Sequence, residues 1–203
     1  GASPCCLYKG SVPGVKVYEQ SLKSIQDTEY MVKLREQFRN GERPSGCQSC
    51  WQEEDVGKTS KRQNSIYKMK TSLTDWTPDS EPTLKYIDFK LGNVCNLKCR
   101  ICGSWSSSKW AQEEIDYETA KGGDNPLARK QLREGGWPKK NPQFFEELQE
   151  DLKYVEYFEF TGGEPFMIKD HFKILMHCVE KGYAKNIDIH YNTNGTQLPP
   201  QEI

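Results

Sequence analysis

The chain has 203 residues, enough for one substantial domain and a smaller one. Its formal net charge of −1 gives no reason to expect nucleic acid or an anionic membrane as a partner. Mean hydropathy is low, at −0.84, but an aromatic content of 11% argues against disorder. No apolar run approaches the roughly 18 residues that span a bilayer, and no signal-peptide pattern opens the chain, so we expect a soluble, cytoplasmic protein.

The eight cysteines fall into groups rather than spreading evenly along the chain. An even count is compatible with the disulfide framework of a secreted protein. The grouping, the chain length and the lack of a secretory pattern favour metal or cluster ligation in a reducing compartment instead. The three groups are Cys5-Cys6, Cys47/Cys50 and Cys95/Cys99/Cys102.

Residues 1–75 form the first predicted domain, and the polar residues 76–83 form a predicted linker. Apolar residues at helical spacing predict a helix that begins after Ser21 and ends near Asn40. The charged segment 52–70 is also expected to be helical. We interpret its basic residues as a solvated helix face rather than a nucleic-acid site.

From residue 84 onward, predicted strands alternate with predicted helices. Each strand is followed by a loop of distinctive residues. Parallel α/β sheets and barrels place their active sites at the carboxyl ends of the strands, so we expect these loops to meet. The predicted strands are 84–91, 154–160 and 187–191, and the predicted helices include 104–121, 144–152 and 169–181.

The first loop carries Cys95, Cys99 and Cys102 in a Cys-x3-Cys-x2-Cys spacing. A [4Fe–4S] cluster usually takes four cysteines, so three leave one iron open to a small molecule. The alternative, a structural zinc site, prefers four protein ligands, and no histidine lies near these cysteines in sequence. Cys178 lies in an apolar helical run and is predicted to be a buried core thiol.

The second and third loops carry glycine, glutamate and asparagine. Gly162 and Gly163 follow the second strand, where a glycine pair can form a tight turn or let the backbone approach a ligand closely. The carboxylate of Glu164 beside them can accept hydrogen bonds from an ammonium group. Asn192 and Asn194 follow the third strand, and by themselves they indicate only a turn.

Together, these loops resemble the radical S-adenosylmethionine (SAM) superfamily over residues 84–196. The resemblance implies that the three cysteines hold a [4Fe–4S] cluster whose open iron binds SAM. It implies a one-electron donor, such as flavodoxin or ferredoxin. It also implies reductive cleavage of SAM to a 5′-deoxyadenosyl radical, which abstracts a hydrogen from a substrate.

The same resemblance assigns contacts with SAM to particular residues. The Gly162-Gly163-Glu164 run would contact the amino group of SAM, and Asn192 and Asn194 would reach its ribose or carboxylate. Ile101 stands where the family most often has an aromatic residue, and it would pack on the adenine.

The cysteines of the first domain resemble the auxiliary-cluster "twitch" module of some radical SAM proteins. Under this resemblance Cys5, Cys6, Cys47 and Cys50 hold a second Fe–S cluster. A zinc knuckle and unligated cysteines are the alternatives. Relatives with auxiliary clusters often act on peptides, which favours a peptide as the substrate.

The expected fold class is α/β: a partial (β/α) barrel of the radical SAM type in residues 84–203, with a small N-terminal α+β module that contains cysteines. Such barrels usually have six βα units, so the chain is expected to be truncated after its third strand. The leading hypothesis is a SAM-cleaving radical enzyme. The alternative is a non-catalytic Fe–S or zinc-binding module for interaction or electron transfer on a truncated scaffold.

Overall fold

The structure is a computed structural model that describes residues 1–70 and 82–198. The chain divides into two compact units. Unit 1 comprises Gly1–Tyr86 and Gln143–Tyr157, and unit 2 comprises Ile87–Pro142 and Phe158–Ile203. Unit 1 therefore also contains a segment from within the predicted second domain. Of the predicted linker, residues 76–81 lie outside the described residues.

The amino-terminal part of unit 1 is built from four short helices. The predicted helix after Ser21 is two helices instead, because Thr28 has extended backbone angles and its hydroxyl caps the second helix by accepting a hydrogen bond from the Met31 N–H. The predicted helical segment 52–70 is also interrupted, at Gly57, whose φ is +75°. The helices are α1 (Leu22–Gln26), α2 (Glu29–Arg39), α3 (Gln48–Asp55) and α4 (Lys61–Lys68).

The core of this part of unit 1 is a small apolar cluster beneath α1 and α2. Val12 and Val15, which precede α1 in the chain, pack against these helices. The cluster consists of Val12, Val15, Ile25, Met31 and Leu34. Between Gly1 and Lys70 the chain forms helices and turns but no strand, so the strand content expected of the N-terminal module is not found in that range.

Three parallel strands and five further α-helices follow in residues 82–198. The sheet order is β1-β2-β3, and the Leu91 N–H donates to the Thr161 carbonyl at 3.0 Å where β1 and β2 end together. The strands are β1 (Tyr86–Lys90), β2 (Tyr157–Thr161) and β3 (Asp188–Tyr191). The helices are α5 (Ser108–Ala120), α6 (Pro126–Glu134), α7 (Trp137–Lys140), α8 (Pro142–Leu148) and α9 (Phe172–Glu180).

The core of unit 2 is aromatic. Phe89 stacks on Phe160 with ring centroids 5.7 Å apart, and Phe158 packs beside both. Helix α9 contributes buried residues, including Cys178, which confirms the prediction of a core thiol. Burial raises the pKa of that thiol to about 11, so it stays protonated at neutral pH.

A buried histidine joins the start of α9 to β3. His171 is fully buried, and its Nδ1 and Nε2 lie 2.6 Å from the Ile168 carbonyl and 2.9 Å from the Tyr191 hydroxyl. Burial lowers the pKa of His171 to about 4, so the imidazole is neutral at pH 7. In the described parts of the chain, no helix has the length and apolar character needed to cross a membrane.

Candidate functional site

The cysteine loop, residues 93–102, is held by the first residues of α5. The Ser107 hydroxyl donates to the Leu97 carbonyl at 2.6 Å. The Ser108 hydroxyl accepts a hydrogen bond from the Cys95 N–H at 3.2 Å. These serines were not among the predicted site residues. A serine run before a helix is an N-cap signal, and here the capping side chain also serves the neighbouring loop.

Two larger side chains hold other parts of the cysteine loop. The Trp110 indole N–H donates to the Cys99 carbonyl at 3.0 Å. The buried Asn93 amide donates to the Ser104 carbonyl at 2.8 Å. The backbone on both sides of the cysteines is therefore fixed by hydrogen bonds, which prepares the loop to present its side chains in one arrangement.

The three thiols of the cysteine loop are neighbours. Cys95 is buried, Cys102 is half-buried and Cys99 is exposed. Burial raises the pKa of the Cys102 thiol, and the nearby Cys99 and Cys95 thiols raise it further. Thiolates are the usual ligands of iron–sulfur clusters, so this set of sulfur donors fits such a cluster. Within residues 1–70 and 82–198, no three His, Cys, Asp or Glu side chains are arranged as for a single metal ion.

The glycine pair lies directly on the cysteine loop and the residues before it. Gly162 and Gly163 have φ values of +82° and +62°, which favour glycine. A Cβ on Gly163 would overlap the Val94 carbonyl oxygen, and one on Gly162 would lie 2.7 Å from the Gly92 carbonyl oxygen. The Glu164 N–H donates to Val94 at 2.8 Å. These glycines therefore allow two loop backbones to pack without side chains between them.

The Glu164 carboxylate joins this segment to the β3 loop, residues 192–197. Glu164 has 0% of its surface exposed. It accepts hydrogen bonds from the Thr193 hydroxyl and the Asn194 N–H, each at 2.7 Å, and from the Phe166 N–H at 3.2 Å. Both carboxylate oxygens therefore already have donors within the protein.

The other residues predicted to contact SAM, Asn194, Asn192 and Ile101, differ in their exposure and in their hydrogen-bond partners. The Asn194 side-chain amide lies 3.6 Å from the Cys95 sulfur and 3.1 Å from Asn96 Oδ1. The exposed Asn192 instead directs its amide toward Glu159 Oε1, at 3.4 Å. Ile101 is 91% exposed beside the thiols. The structure thus brings Asn194 to the cysteine loop and leaves Ile101 on the surface.

Comparison with known families decides how this arrangement is classified. The family model described as the radical SAM superfamily matches residues 89–203, more than half of the chain. The chain belongs to the radical SAM superfamily. A search of the curated proteins and a search of the solved structures each found no match. The superfamily implies a [4Fe–4S] cluster, SAM and a source of electrons, and it confirms the predicted α/β, partial (β/α) character of the matched region.

The second group of cysteines in this radical SAM protein lies in unit 1, outside the matched range. The Tyr8 ring lies on Gly46, where a Cβ would overlap it, and the Lys9 N–H donates to the Gly46 carbonyl at 2.9 Å. This packing brings the segment that contains Cys5 to the loop that contains Cys47.

Other cysteine thiols of unit 1 influence the pKa values of the Cys5 and Cys47 thiols. Burial raises the pKa of Cys47 to about 11, and the neighbouring Cys5 and Cys50 thiols raise it, while the Arg62 guanidinium opposes them. The pKa of Cys5 is also raised, by burial and by Cys50. Cys6 is exposed beside Cys5. The segment that contains Cys5 and the loop that contains Cys47 are more than 40 positions apart in sequence, and the contacts of Tyr8 and Lys9 with Gly46 bring them together.

Proposed function

We propose that this chain is a radical SAM enzyme in which Cys95, Cys99 and Cys102 hold the [4Fe–4S] cluster. When bound, the cluster and SAM supply reductive cleavage of SAM, and the resulting radical takes a hydrogen atom from a substrate. The observation that carries the proposal is the packing of the Gly162-Gly163 backbone against the loop that presents three neighbouring thiols. We propose a peptide as the substrate and flavodoxin or ferredoxin as the electron donor.

The residues around the thiols divide into those that contact SAM and those that position the contacts. Ile101 is exposed and can pack on the adenine, and the Gly162-Gly163 backbone and Asn192 offer polar contacts to the rest of SAM. The Glu164 carboxylate already accepts three hydrogen bonds. We therefore assign it to SAM binding through the β3 loop that it fixes, which also orients Asn194.

A second iron–sulfur cluster in unit 1 is the finer part of this proposal. Cys5, Cys6, Cys47 and Cys50 are its proposed ligands. The support is the effect of the Cys5 and Cys50 thiols on the pKa of Cys47 and the positive Arg62 near Cys47, since a cation stabilises an anionic thiolate cluster. We also propose a cytoplasmic location, because cysteines that ligate a cluster need a reducing compartment.

The test is anaerobic reconstitution of the full chain with iron and sulfide, followed by dithionite and SAM. We expect about eight irons per chain if both clusters form and about four if only one forms. SAM should perturb the electron paramagnetic resonance (EPR) signal of the reduced cluster, and 5′-deoxyadenosine should accumulate. Cys178→Ala is the matched control, because it removes a cysteine from the core and should leave the iron content unchanged.

Three results separate the alternatives. Iron without a SAM-perturbed signal and without 5′-deoxyadenosine would contradict the catalytic proposal and favour an electron-transfer or interaction module. Zinc in place of iron would favour a structural metal site. A Cys99→Ala variant that retains as much iron as a folded Cys178→Ala variant would contradict the assignment of the cluster to the loop cysteines.

A further inference from the structure

The β3 loop is tied to the cysteine loop by a network of side-chain hydrogen bonds. The Asn194 amide donates to Asn96 Oδ1 at 3.1 Å and lies 3.6 Å from the Cys95 sulfur, a normal separation for an N–H group and the larger sulfur atom. The Asn96 amide in turn donates to the Thr196 hydroxyl at 2.7 Å. Residues about 100 positions apart in sequence are therefore linked at the candidate cluster site.

The orientation of the Asn194 amide follows from its partners. Its Oδ1 accepts from the Thr196 backbone N–H at 2.9 Å, and a backbone N–H can only donate. The oxygen must therefore face Thr196, and the NH₂ group must face the cysteine loop. The Thr196 hydroxyl also lies 2.7 Å from the same oxygen. Both donor and both acceptor positions of the Asn194 amide are thus used.

Glu164 holds the backbone that carries Asn194. Glu164, which is fully buried, accepts hydrogen bonds from the Asn194 N–H and the Thr193 hydroxyl. The Glu164 N–H is itself bonded to the Val94 carbonyl, immediately before Cys95. The sulfur of Cys95 and the amide that faces it are therefore linked by one continuous set of contacts.

We propose that Asn194 sets the reduction potential of the cluster by donating an N–H···S hydrogen bond to Cys95. This inference rests on the proposed function, because it requires Cys95 to be a cluster ligand. Reduction adds negative charge to the cluster and its sulfurs, and a donor aimed at a sulfur stabilises that charge. The Leu97 N–H, 3.5 Å from the same sulfur, is a second donor. Asn194 is a positioning and redox-tuning residue rather than a catalytic one.

The test is a potentiometric titration of the reconstituted full chain, followed by EPR and performed without SAM. Asn194→Ala removes the donor. Asn194→Asp keeps an oxygen toward Thr196 and places a second acceptor against the sulfur. At a fixed applied potential we expect the ratio of reduced to oxidised cluster to fall by about threefold to tenfold in Asn194→Ala, where tenfold corresponds to about 59 mV for one electron. Asn194→Asp should lower the ratio further.

Two control variants distinguish a specific hydrogen bond from a disturbed loop. Gln197→Ala changes a side chain of the same loop whose amide donates to the Thr196 carbonyl rather than to the cysteine loop, and Leu198→Ala changes the exposed side chain that follows it. Both should keep the wild-type potential. Two results would overturn the inference. One is a wild-type reduction potential in Asn194→Ala and Asn194→Asp variants that carry the wild-type iron content. The other is a shift of the potential in the control variants as large as the shift in the Asn194 variants.

The outcome is distinguishable from the outcome for the proposed function. A shifted potential without SAM cleavage would support the role of Asn194 and contradict the enzyme activity. A chain that takes up no iron would overturn both, through the iron assay rather than the titration. If an Asn194 variant loads iron poorly, hydrogen exchange of the metal-free chain decides: faster exchange at Thr196 supports the orienting contact, and unchanged exchange overturns it.

Discussion

The chain brings the cysteines of its two groups together in different ways. In unit 2, Cys95, Cys99 and Cys102 lie on one loop, and the neighbouring elements pack against its backbone. In unit 1, Cys5 lies on a distant segment, which the packing of Tyr8 on Gly46 joins to the loop that contains Cys47. A site within one loop depends on the rigidity of that loop, whereas a site between segments depends on the packing that joins them. The two sites should therefore respond differently to mutation.

The largest expected effect separates the two sites by their chemistry. Cys99→Ala should abolish 5′-deoxyadenosine formation and the effect of SAM on the EPR signal, because it removes a proposed ligand of the SAM-binding cluster. Cys47→Ala should lower the iron content but leave the SAM-perturbed signal. Iron analysis and EPR of the two reconstituted variants check this. A SAM response that survives in Cys99→Ala and disappears in Cys47→Ala would reverse the assignment.

A second expected effect tests the backbone packing around the unit 2 loop. Gly163→Ala should destabilise the chain by about 2–5 kcal/mol, since it combines an unfavourable φ with an overlap on the Val94 backbone. Gly122→Ala is the matched control, because Gly122 has a φ of +76° but open space around it. That control should cost about 1–2 kcal/mol. Urea unfolding measures both, and equal costs would show that the packing is unimportant.

The units should also differ in their response to acid. His171 has a pKa of about 4 when folded, against an ordinary value of 6.5. Above pH 6.5 the imidazole is neutral in both states. As the pH falls from 6.5 toward 4, His171 takes up a proton in the unfolded chain but not in the folded chain. The free energy of unfolding therefore decreases, by about 3 kcal/mol in total. All three histidines lie in unit 2, at positions 171, 177 and 190.

Urea unfolding at a series of pH values measures this loss. His171→Gln should be less stable at pH 7 but should have a flatter dependence on pH between 6.5 and 4. His190→Gln, which changes an exposed histidine on β3, should keep the wild-type slope. An unchanged slope in His171→Gln would contradict a buried, neutral His171.

The smallest expected effect lies in unit 1. A Cβ on Gly46 would meet the far end of the Tyr8 ring, which can move, rather than backbone. Gly46→Ala should cost about 1 kcal/mol, comparable to losing the hydrogen bond between Tyr8 and Tyr30. The displaced ring should also weaken the link from Cys5 to Cys47. Iron content should therefore fall more than stability does, and an unchanged iron content would indicate that Cys5 is not a ligand.

Much of unit 2 could be predicted from the sequence because its signals are local. Alternating apolar residues predict the strands within two or three residues of their observed bounds, as for β3, predicted at 187–191 and found at Asp188–Tyr191. The cysteine spacing and the glycine pair are read directly from neighbouring residues. The division between α1 and α2 was missed, because the apolar spacing continues across Thr28 while its side chain caps a new helix.

The sequence by itself determined the kind of metal ligand and the class of chemistry, because three thiols lie in one short loop and a glycine pair follows the next strand. It could not determine which polar side chains face a bound cofactor. In the folded chain the Glu164 carboxylate accepts a hydrogen bond from the Asn194 N–H and holds the β3 loop, and the Asn194 amide faces Cys95. Those contacts join segments about 30 and 100 residues apart, and only folding brings such segments within hydrogen-bonding distance.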